Sequence, residues 1–347
     1  MRKSLKDISL NITEEEYRQM PELSYSTLAK YERGGFSSIK TLFDKVESPS
    51  LLFGSCVDTY ITDGIDAFND RFMVAIFPEL KDSEISVIKS IFNITNGLYT
   101  WDNVTNSTIL QAIDECKFQP NWRPETRLKV IKEKGEEYYN LMVIAKDKTL
   151  ISQEMYDEVL AAVDALKSSE STKWFFADNN PFEDVERLYQ LKFNAELDGV
   201  GYRCMFDELI VDYTNKTIQP IDLKTSYKNE YDFYKSFVEW SYQIQNRLYV
   251  RILQENIKKD PFFKDFKILP YKDIVVCKTS LNPLVWDCDF TFAVGNLKFG
   301  KNQQIEMRDP EVIGKELHYY LENNSIVPKE IDVCGSNDLR TWINRMG

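Results

Sequence analysis

Two acids and a lysine stand in an arrangement that can do chemistry. Asp207 lies in the β-rich run "VGYRCMFDELIVD" (200–212), and the next such run, "TIQPIDLKT" (217–225), carries Asp222 and Lys224. If the turn between them centres on Thr214 and Asn215, facing residues have numbers that sum to 429, and Asp207 faces Asp222. Their Cβ atoms then lie roughly 5 Å apart on one face. Lys224 shares that face, because strand side chains alternate with period two. Two carboxylates that close repel unless a positive charge lies between them. Carboxylate oxygens suit Mg²⁺ or Mn²⁺, and an adjacent ammonium can hold or help deprotonate a water, or stabilise charge on a phosphate. The bland alternative is an ordinary salt-bridged strand surface. A one-residue slip moves Asp207 to the other face, and Pro220 points to a bulge or an edge strand.

The elements that must position these residues read as follows. "LSYSTLAKYERGG" (23–35) is a helix capped by Ser24 or Ser26 and stopped by glycines. "SPSLLFGSCVDTYITDG" (48–64) is a second helix, carrying Asp58, with Gly54 allowing a close approach. "RPETRLKVIKEKGEEYYNLMVIA" is helical with a break near Gly135. "LISQEMYDEVLAAVDALKSS" has Ser152 as cap, Glu154 in the first turn, and a stripe of Met155, Val159, Val163 and Leu166. From about residue 186 the period turns strand-like: "RLYQLKFNAEL", then the two runs above. "YDFYKSFVEWSYQIQNRLYVRILQENI" reads as one long helix with Phe233, Phe237, Trp240, Ile244 and Leu248 along one side. "KDIVVCKTSL" and "LVWDCDFTF" are two further strands, and "PEVIGKELHYYLENN" is a C-terminal helix. The expectation is one α/β domain over 1–347: a mostly helical part to 185, a catalytic sheet and helix over 186–300, and a helical C-terminal part over 301–347.

Composition limits the chemistry. The chain has 347 residues, 43% of them hydrophobic, and 43 Lys and Arg against 55 Asp and Glu give a net charge of −12. That argues against a wholly basic nucleic-acid coat, although a local groove can be positive on an acidic protein. No apolar run approaches the ~18 residues of a membrane span, and the first residues lack a signal-peptide core, so a soluble, cytoplasmic protein is expected. The six cysteines include no pair at CxxC spacing, which speaks against zinc or iron–sulfur sites. His318 is the single histidine, so chemistry built on imidazoles is nearly excluded. Carboxylates, lysine and a bound metal remain.

"MFD" at 205–207, "PIDLKT" at 220–225 and "QNRLY" at 245–249 together resemble the PD-(D/E)XK nuclease superfamily. The likeness is to its branch of RecB-type nuclease domains and phage exonuclease VIII (RecE)-like enzymes, with an acid, then (D/E)-x-K, then Q-x-x-x-Y on the following helix. "LSYSTLAKY" and "SPSLLFGSCVDTYI" are similar to the opening Ser-rich helix and the FG-containing helix of that family, and "LISQEMYDEVLAAVDAL" to a helix upstream of its catalytic strands. The loose likeness covers about residues 20–300 and the strong part 200–250. It implies a restriction-endonuclease-like core, a central mixed β-sheet flanked by helices, with a helical N-terminal half.

The resemblance further implies that Asp207, Asp222 and the backbone carbonyl of Leu223 bind Mg²⁺ or Mn²⁺, and that Lys224 acts on the nucleophilic water. Gln245 and Tyr249, one turn apart, would face the site and position DNA or the lysine. Asp58 falls where many relatives carry His and is a further candidate ligand, as is Glu196. Arg203, Lys228, Lys235 and Arg247 flank the motif as candidate phosphate contacts. The implied activity is metal-dependent DNA hydrolysis. The favoured form is a double-stranded DNA exonuclease acting on linear duplex in phage-type recombination, beside a single-strand annealing recombinase, as a monomer or a ring. The setting implied is the cytoplasm of a bacterium or phage-infected host, with no membrane partner. Two other readings stay open: a structure-specific or defence endonuclease of the same fold, and a non-catalytic acidic protein that binds another protein or mimics DNA.

Overall fold

The computed structural model describes residues 3–44, 46, 48–180, 183–300 and 305–323. The chain forms two compact units, one of residues 1–62 with 161–347 and one of residues 63–160. Where the sequence suggests one continuous domain, residues 63–160 therefore stand as a unit of their own.

The first unit opens with helices α1 (Glu14–Gln19), α2 (Tyr25–Gly34) and α3 (Pro49–Thr62). Ser24 caps α2 by accepting the Thr27 N–H, and Gly35 ends it at φ +54°, a conformation open to glycine without a Cβ clash. In α3, a Cβ added at Gly54 would lie 3.1 Å from Thr225 Oγ1, so the glycine lets this helix approach the strand that carries Lys224.

The second unit comprises α4 (Gly64–Arg71), β1 (Phe72–Ala75), α5 (Asp82–Thr95), α6 (Asn106–Glu115), α7 (Pro124–Ala145) and β2 (Thr149–Ser152), with β1 and β2 parallel. Its core gathers Ile88, Ile91, Ile109, Ile113, Ile131 and Tyr139. Helix α7 runs unbroken through Gly135, against the sequence expectation. Gly135 instead admits the Trp101 ring, which a Cβ there would meet at 2.6 Å. Glycine lowers helix propensity by about 1 kcal/mol without forcing a break.

Helix α8 (Gln153–Ser168) starts as expected, with Ser152 Oγ accepting the Met155 N–H at 3.1 Å and Val159, Val163 and Leu166 buried. The sheet follows: β3 (Val185–Leu197), β4 (Val200–Asp212) and β5 (Thr217–Ser226), then α9 (Phe233–Glu239), α10 (Tyr242–Lys259), β6 (Lys267–Ile268), β7 (Tyr271–Cys277) and β8 (Leu284–Cys288). The strand order is β3-β4-β5-β7-β8, with β6 also pairing β5. β5 and β7 are parallel, and the other neighbours on that path are antiparallel, so the sheet is mixed. A short hairpin of β9 (Leu297–Phe299) and β10 (Ile305–Met307) precedes α11 (Pro310–Asn323). The rest of the expected C-terminal helical part, residues 324–347, lies outside the described residues.

Two expectations change here. Pro220 is neither at an edge nor in a bulge: it lies within a central strand, opposite Leu209. It occupies the gap between the residues of β5 that pair with β6 (217–218) and those that pair with β7 (221–226), where a missing N–H costs no ladder bond. The long helix after β5 is two helices, because Ser241 adopts a left-handed conformation (φ +57°) between them. The Trp240 carbonyl at the break accepts from Tyr25 Oη (2.8 Å) and Arg33 (3.2 Å), and Trp240 itself is exposed rather than part of a buried stripe.

Candidate metal-dependent active site

The β4–β5 hairpin has the register that its turn suggests: Asp212 faces Thr217, Ile210 faces Gln219 and Glu208 faces Ile221. The ladder stops one pair short of Asp207 and Asp222. On the other side of β4 the register with β3 runs Tyr189 opposite Glu208 and Leu191 opposite Phe206, passing over Gln190 and Asp207 between them. Gln190 has φ +54°, left-handed for a residue inside a strand. The inward-facing set changes parity here on both strands. Leu188 gives way to Leu191 and Phe193, and Tyr202, Cys204 and Phe206 give way to Leu209 and Val211, all in one core. This paired kink turns Asp207 toward β5, where its Oδ2 accepts the Leu223 N–H at 2.8 Å.

Asp222, 2% exposed, meets two partners, Gln245 and Lys224. Gln245 Nε2 donates to Asp222 Oδ1, and Gln245 Oε1 accepts from Lys224 Nζ at 2.8 Å. Lys224 Nζ lies 2.5 Å from Asp222 Oδ2, an ion pair whose angles are not those of a hydrogen bond. The ammonium also faces the Tyr242 ring at 4.3 Å and the Tyr25 ring at 5.9 Å, contacts that favour the cation. Burial acts to lower the Lys224 pKa, but Asp222, together with Tyr242, Tyr25 and Asp273 around it, outweighs burial and raises it well above the usual lysine value. Asp207 moves up as well: burial, then the negative charges of Asp222 and Asp58, push its carboxyl far above the normal range against the pull of Lys224. Tyr249, one turn beyond Gln245, is buried edge-on against Phe206 (5.4 Å), with Asp222 and Asp207 close enough for their charges to act on its hydroxyl.

Asp58 projects from α3, and its two oxygens accept from Gln190 Nε2 at 3.2 and 3.0 Å. It does not join Asp207 and Asp222 in a ready cage. Among the described residues no group of three or more His, Cys, Asp or Glu side chains is disposed to hold a metal ion. The donors at hand still fit a hard divalent cation in kind. They are two carboxylates, one with the buried Oδ2 of Asp222 lacking a hydrogen bond, and the Leu223 carbonyl. Mg²⁺ commonly rests on one or two carboxylates and keeps several waters.

Other expected residues lie apart from this cluster. Glu196 is exposed beside the β3–β4 turn, opposite Gly201; six residues along β4 separate that point from Asp207, roughly 20 Å at strand rise, so it is no ligand here. Arg247 is not a phosphate contact. It is fully buried, with its guanidinium bound to Asp309, Gln243 and the carbonyls of Ala293 and Gly295. Arg203 is also tied inward, donating to the Tyr17 and Met20 carbonyls and stacking on the Tyr17 ring. Lys228 and Lys235 are solvent-facing but paired with Glu239 and Asp232, each at 2.6 Å.

The sequence reading missed Asp273, Asn246, Tyr25 and Tyr242. Asp273 stands beside Asp222 across the parallel β5–β7 pair and is completely buried. Burial pushes its carboxyl up to about 7, against Lys224 and the bonds from Asn246 and Cys288. Its one sequence signal was an acid inside the apolar strand "KDIVVC", where a charge needs a reason. Tyr25 and Tyr242 gave none, because only the break at Ser241 brings both rings to the lysine.

No protein-family model matches the chain, and no curated protein matches it in sequence. Among solved structures, a crystal structure named "Putative exonuclease" from Eubacterium rectale aligns over 95% of this chain and 94% of its own, at 14% identity and a TM-score of 0.43. The fold is a mixed α/β architecture around a central mixed sheet. No helix among the described residues is long and apolar enough to cross a membrane.

Proposed function

We propose that the protein is a metal-dependent deoxyribonuclease. The observation that carries this reading is the closure of Asp222, Lys224 and Gln245 on one another beside Asp207, drawn from β4, β5 and α10. Asp207, Asp222 and the Leu223 carbonyl are the groups that would hold a divalent cation, Mg²⁺ or Mn²⁺. Such an ion, when bound, supplies Lewis acidity and charge neutralisation at a phosphodiester.

The chain's own residues do the rest. Lys224 Nζ keeps its protons and donates them as hydrogen bonds, to the attacking water or to a phosphoryl oxygen gaining charge. Gln245 fixes that ammonium with its carbonyl oxygen while its amide fixes Asp222, so one side chain sets the spacing of Asp222 and Lys224. The aromatic faces of Tyr25 and Tyr242 limit where the ammonium can move. A preorganised pocket of this kind lowers the barrier because its dipoles need no rearrangement during reaction.

Within that class, the resemblance of the three motifs favours an exonuclease on linear duplex DNA, working in phage-type recombination beside a single-strand annealing protein. The test incubates end-labelled linear duplex and covalently closed circles with the protein, with and without Mg²⁺, alongside Lys224→Ala. Cleavage of the linear form that EDTA abolishes and the variant lacks is the expected result. Activity in EDTA, or full activity of the variant, overturns the mechanism. Equal cutting of closed circles retains the nuclease and removes the exonuclease.

A further inference from the structure

We propose that Gln190 is a positioning residue for the metal pocket: its carboxamide holds Asp58 as a third negative charge beside Asp207, and so raises the pocket's affinity for a divalent cation. This inference rests on the reading of the site as a cation-binding one.

Three independent features meet at Gln190. The first is conformational. A glutamine inside a long strand takes a left-handed backbone (φ +54°), a region that non-glycine residues other than Asn and Asp seldom occupy. Such strain persists where the surroundings enforce it, and clusters at functional sites. The second is its place in the sheet. The β3–β4 register passes over Gln190 and Asp207 together, so the strained residue stands across from the very acid that the kink turns toward Leu223. The third is its side chain. Nε2 reaches both oxygens of Asp58, 132 residues away in the chain and on α3, and comes within 3.5 Å of Thr62 Oγ1 on the same helix.

The chemistry gives this contact a purpose. Asp58 meets Gln190, and Gln190 stands across from Asp207, so two carboxylates are drawn to one kink, where like charges repel. Like charges brought together favour rotating one carboxylate away, and a donor that meets the carboxylate opposes that. A carboxamide N–H₂ group offers two donors without a charge, so it orients Asp58 without neutralising it. A lysine in that place would cancel the field that attracts a cation. A charge beside the direct ligands acts by orienting a cation's retained waters and by deepening the local negative potential. Gly54, one turn before Asp58 on α3, lets that helix sit close to Thr225 of β5, the strand that carries Asp222 and Lys224.

The test measures Mn²⁺ binding directly, by the loss of the free-ion electron paramagnetic resonance signal, and Mg²⁺ binding by calorimetry, without DNA. The proteins are the parent, Gln190→Gly, Gln190→Glu, Asp58→Asn, and each Gln190 variant combined with Asp58→Asn. Gln190→Gly removes the carboxamide and relieves the left-handed backbone, so its thermal midpoint is expected to equal or exceed the parent's. Its cation affinity is expected to fall by about tenfold or more, the usual loss when a supporting partner of a metal site is removed. Asp58→Asn is expected to fall by a similar factor, and the double variant no further than either single one. A structural role alone would lower the thermal midpoint of Gln190→Gly and leave its affinity intact, which overturns the inference. If the parent binds neither ion, the proposed function fails and this inference with it. If the parent binds and Gln190→Gly binds equally well, only the inference about Gln190 fails. Gln190→Glu provides a check of sign: a carboxylate against Asp58 cannot clamp it, so a variant whose Asp58→Asn substitution still costs the full factor also counts against the clamp.

Discussion

Gln245 bridges Asp222 and Lys224, donating through Nε2 to one and accepting through Oε1 from the other. A carboxamide makes both contacts with one planar group, because it carries an N–H₂ donor beside a carbonyl acceptor. Glutamate would pair with Lys224 but repel Asp222, and alanine would free both. Gln245→Ala is expected to lower the rate of DNA cleavage by about 10–100-fold, in the range of lost supporting contacts at metal sites. Circular dichroism and the thermal midpoint should stay near the parent's. A variant with the parent's rate would show that the bridge is dispensable.

Arg247 sits in the same helix yet serves the fold. Its guanidinium is buried against Asp309 at 2.7 Å, and Arg251 reaches the same carboxylate at 2.7 Å. Removing Arg247 leaves Asp309 its Arg251 partner but takes the donor from Gln243 Oε1 and the Gly295 carbonyl, and a buried group left unsatisfied costs about 1–3 kcal/mol. Arg247→Ala is therefore expected to lose stability of that order in urea unfolding. The salt dependence of DNA binding should keep its slope, because no phosphate contact is lost.

The same cluster predicts a pH dependence. Burial acts to raise the Asp309 carboxyl, but Arg251 and Arg247 outweigh it and hold it below the usual carboxylate range. Its folded pKa thus lies below its unfolded value of about 3.9. The stability it contributes is fully present above that unfolded value and is lost as pH falls through the lower, folded one. Thermal midpoints of the parent and Asp309→Asn should differ most above about pH 4 and approach each other in stronger acid. A constant gap across that range would contradict the linkage.

Gly135 offers a test in the second unit. Alanine is favoured over glycine within a helix by about 1 kcal/mol, so a solvent-facing Gly135→Ala would stabilise α7. Here the new Cβ would come within 2.6 Å of the Trp101 ring and 3.3 Å of Ile88. Overpacking of this kind costs about 1–3 kcal/mol, so net destabilisation is expected in chemical unfolding. A stabilised variant would mean that Trp101 moves aside freely.

Much of the site was legible before any coordinates. The strand-like period of 186–225 gave β3, β4 and β5 to within a few residues, and the Thr214–Asn215 turn gave the register of β4 with β5. Ser24 and Ser152 marked helix starts because a side-chain oxygen accepting a free N–H is a local event. The resemblance, rather than the residues alone, implied that Gln245 faces the site from its helix, and its bonds run to Asp222 and Lys224. Less legible were features set by distant contacts. The break at Ser241 depends on Tyr25 and Arg33 reaching the Trp240 carbonyl, and Gly135 was read as a weak point because its partner, Trp101, is not nearby in the chain.

The sequence by itself determined the alternation that puts Asp222 and Lys224 on one face, since period-two geometry leaves no other choice within a strand. It also determined the spacing of Gln245 and Tyr249 along one helical turn. Tertiary structure decided which charges belong to the site. Arg247 and Arg203 were absorbed into the fold, Asp273 was brought in from a neighbouring strand, and Gln190 was drawn across to Asp58. The physical reason is range: hydrogen-bonded periodicity is written in adjacent residues, whereas a buried charge takes whichever partner the packed chain delivers to it.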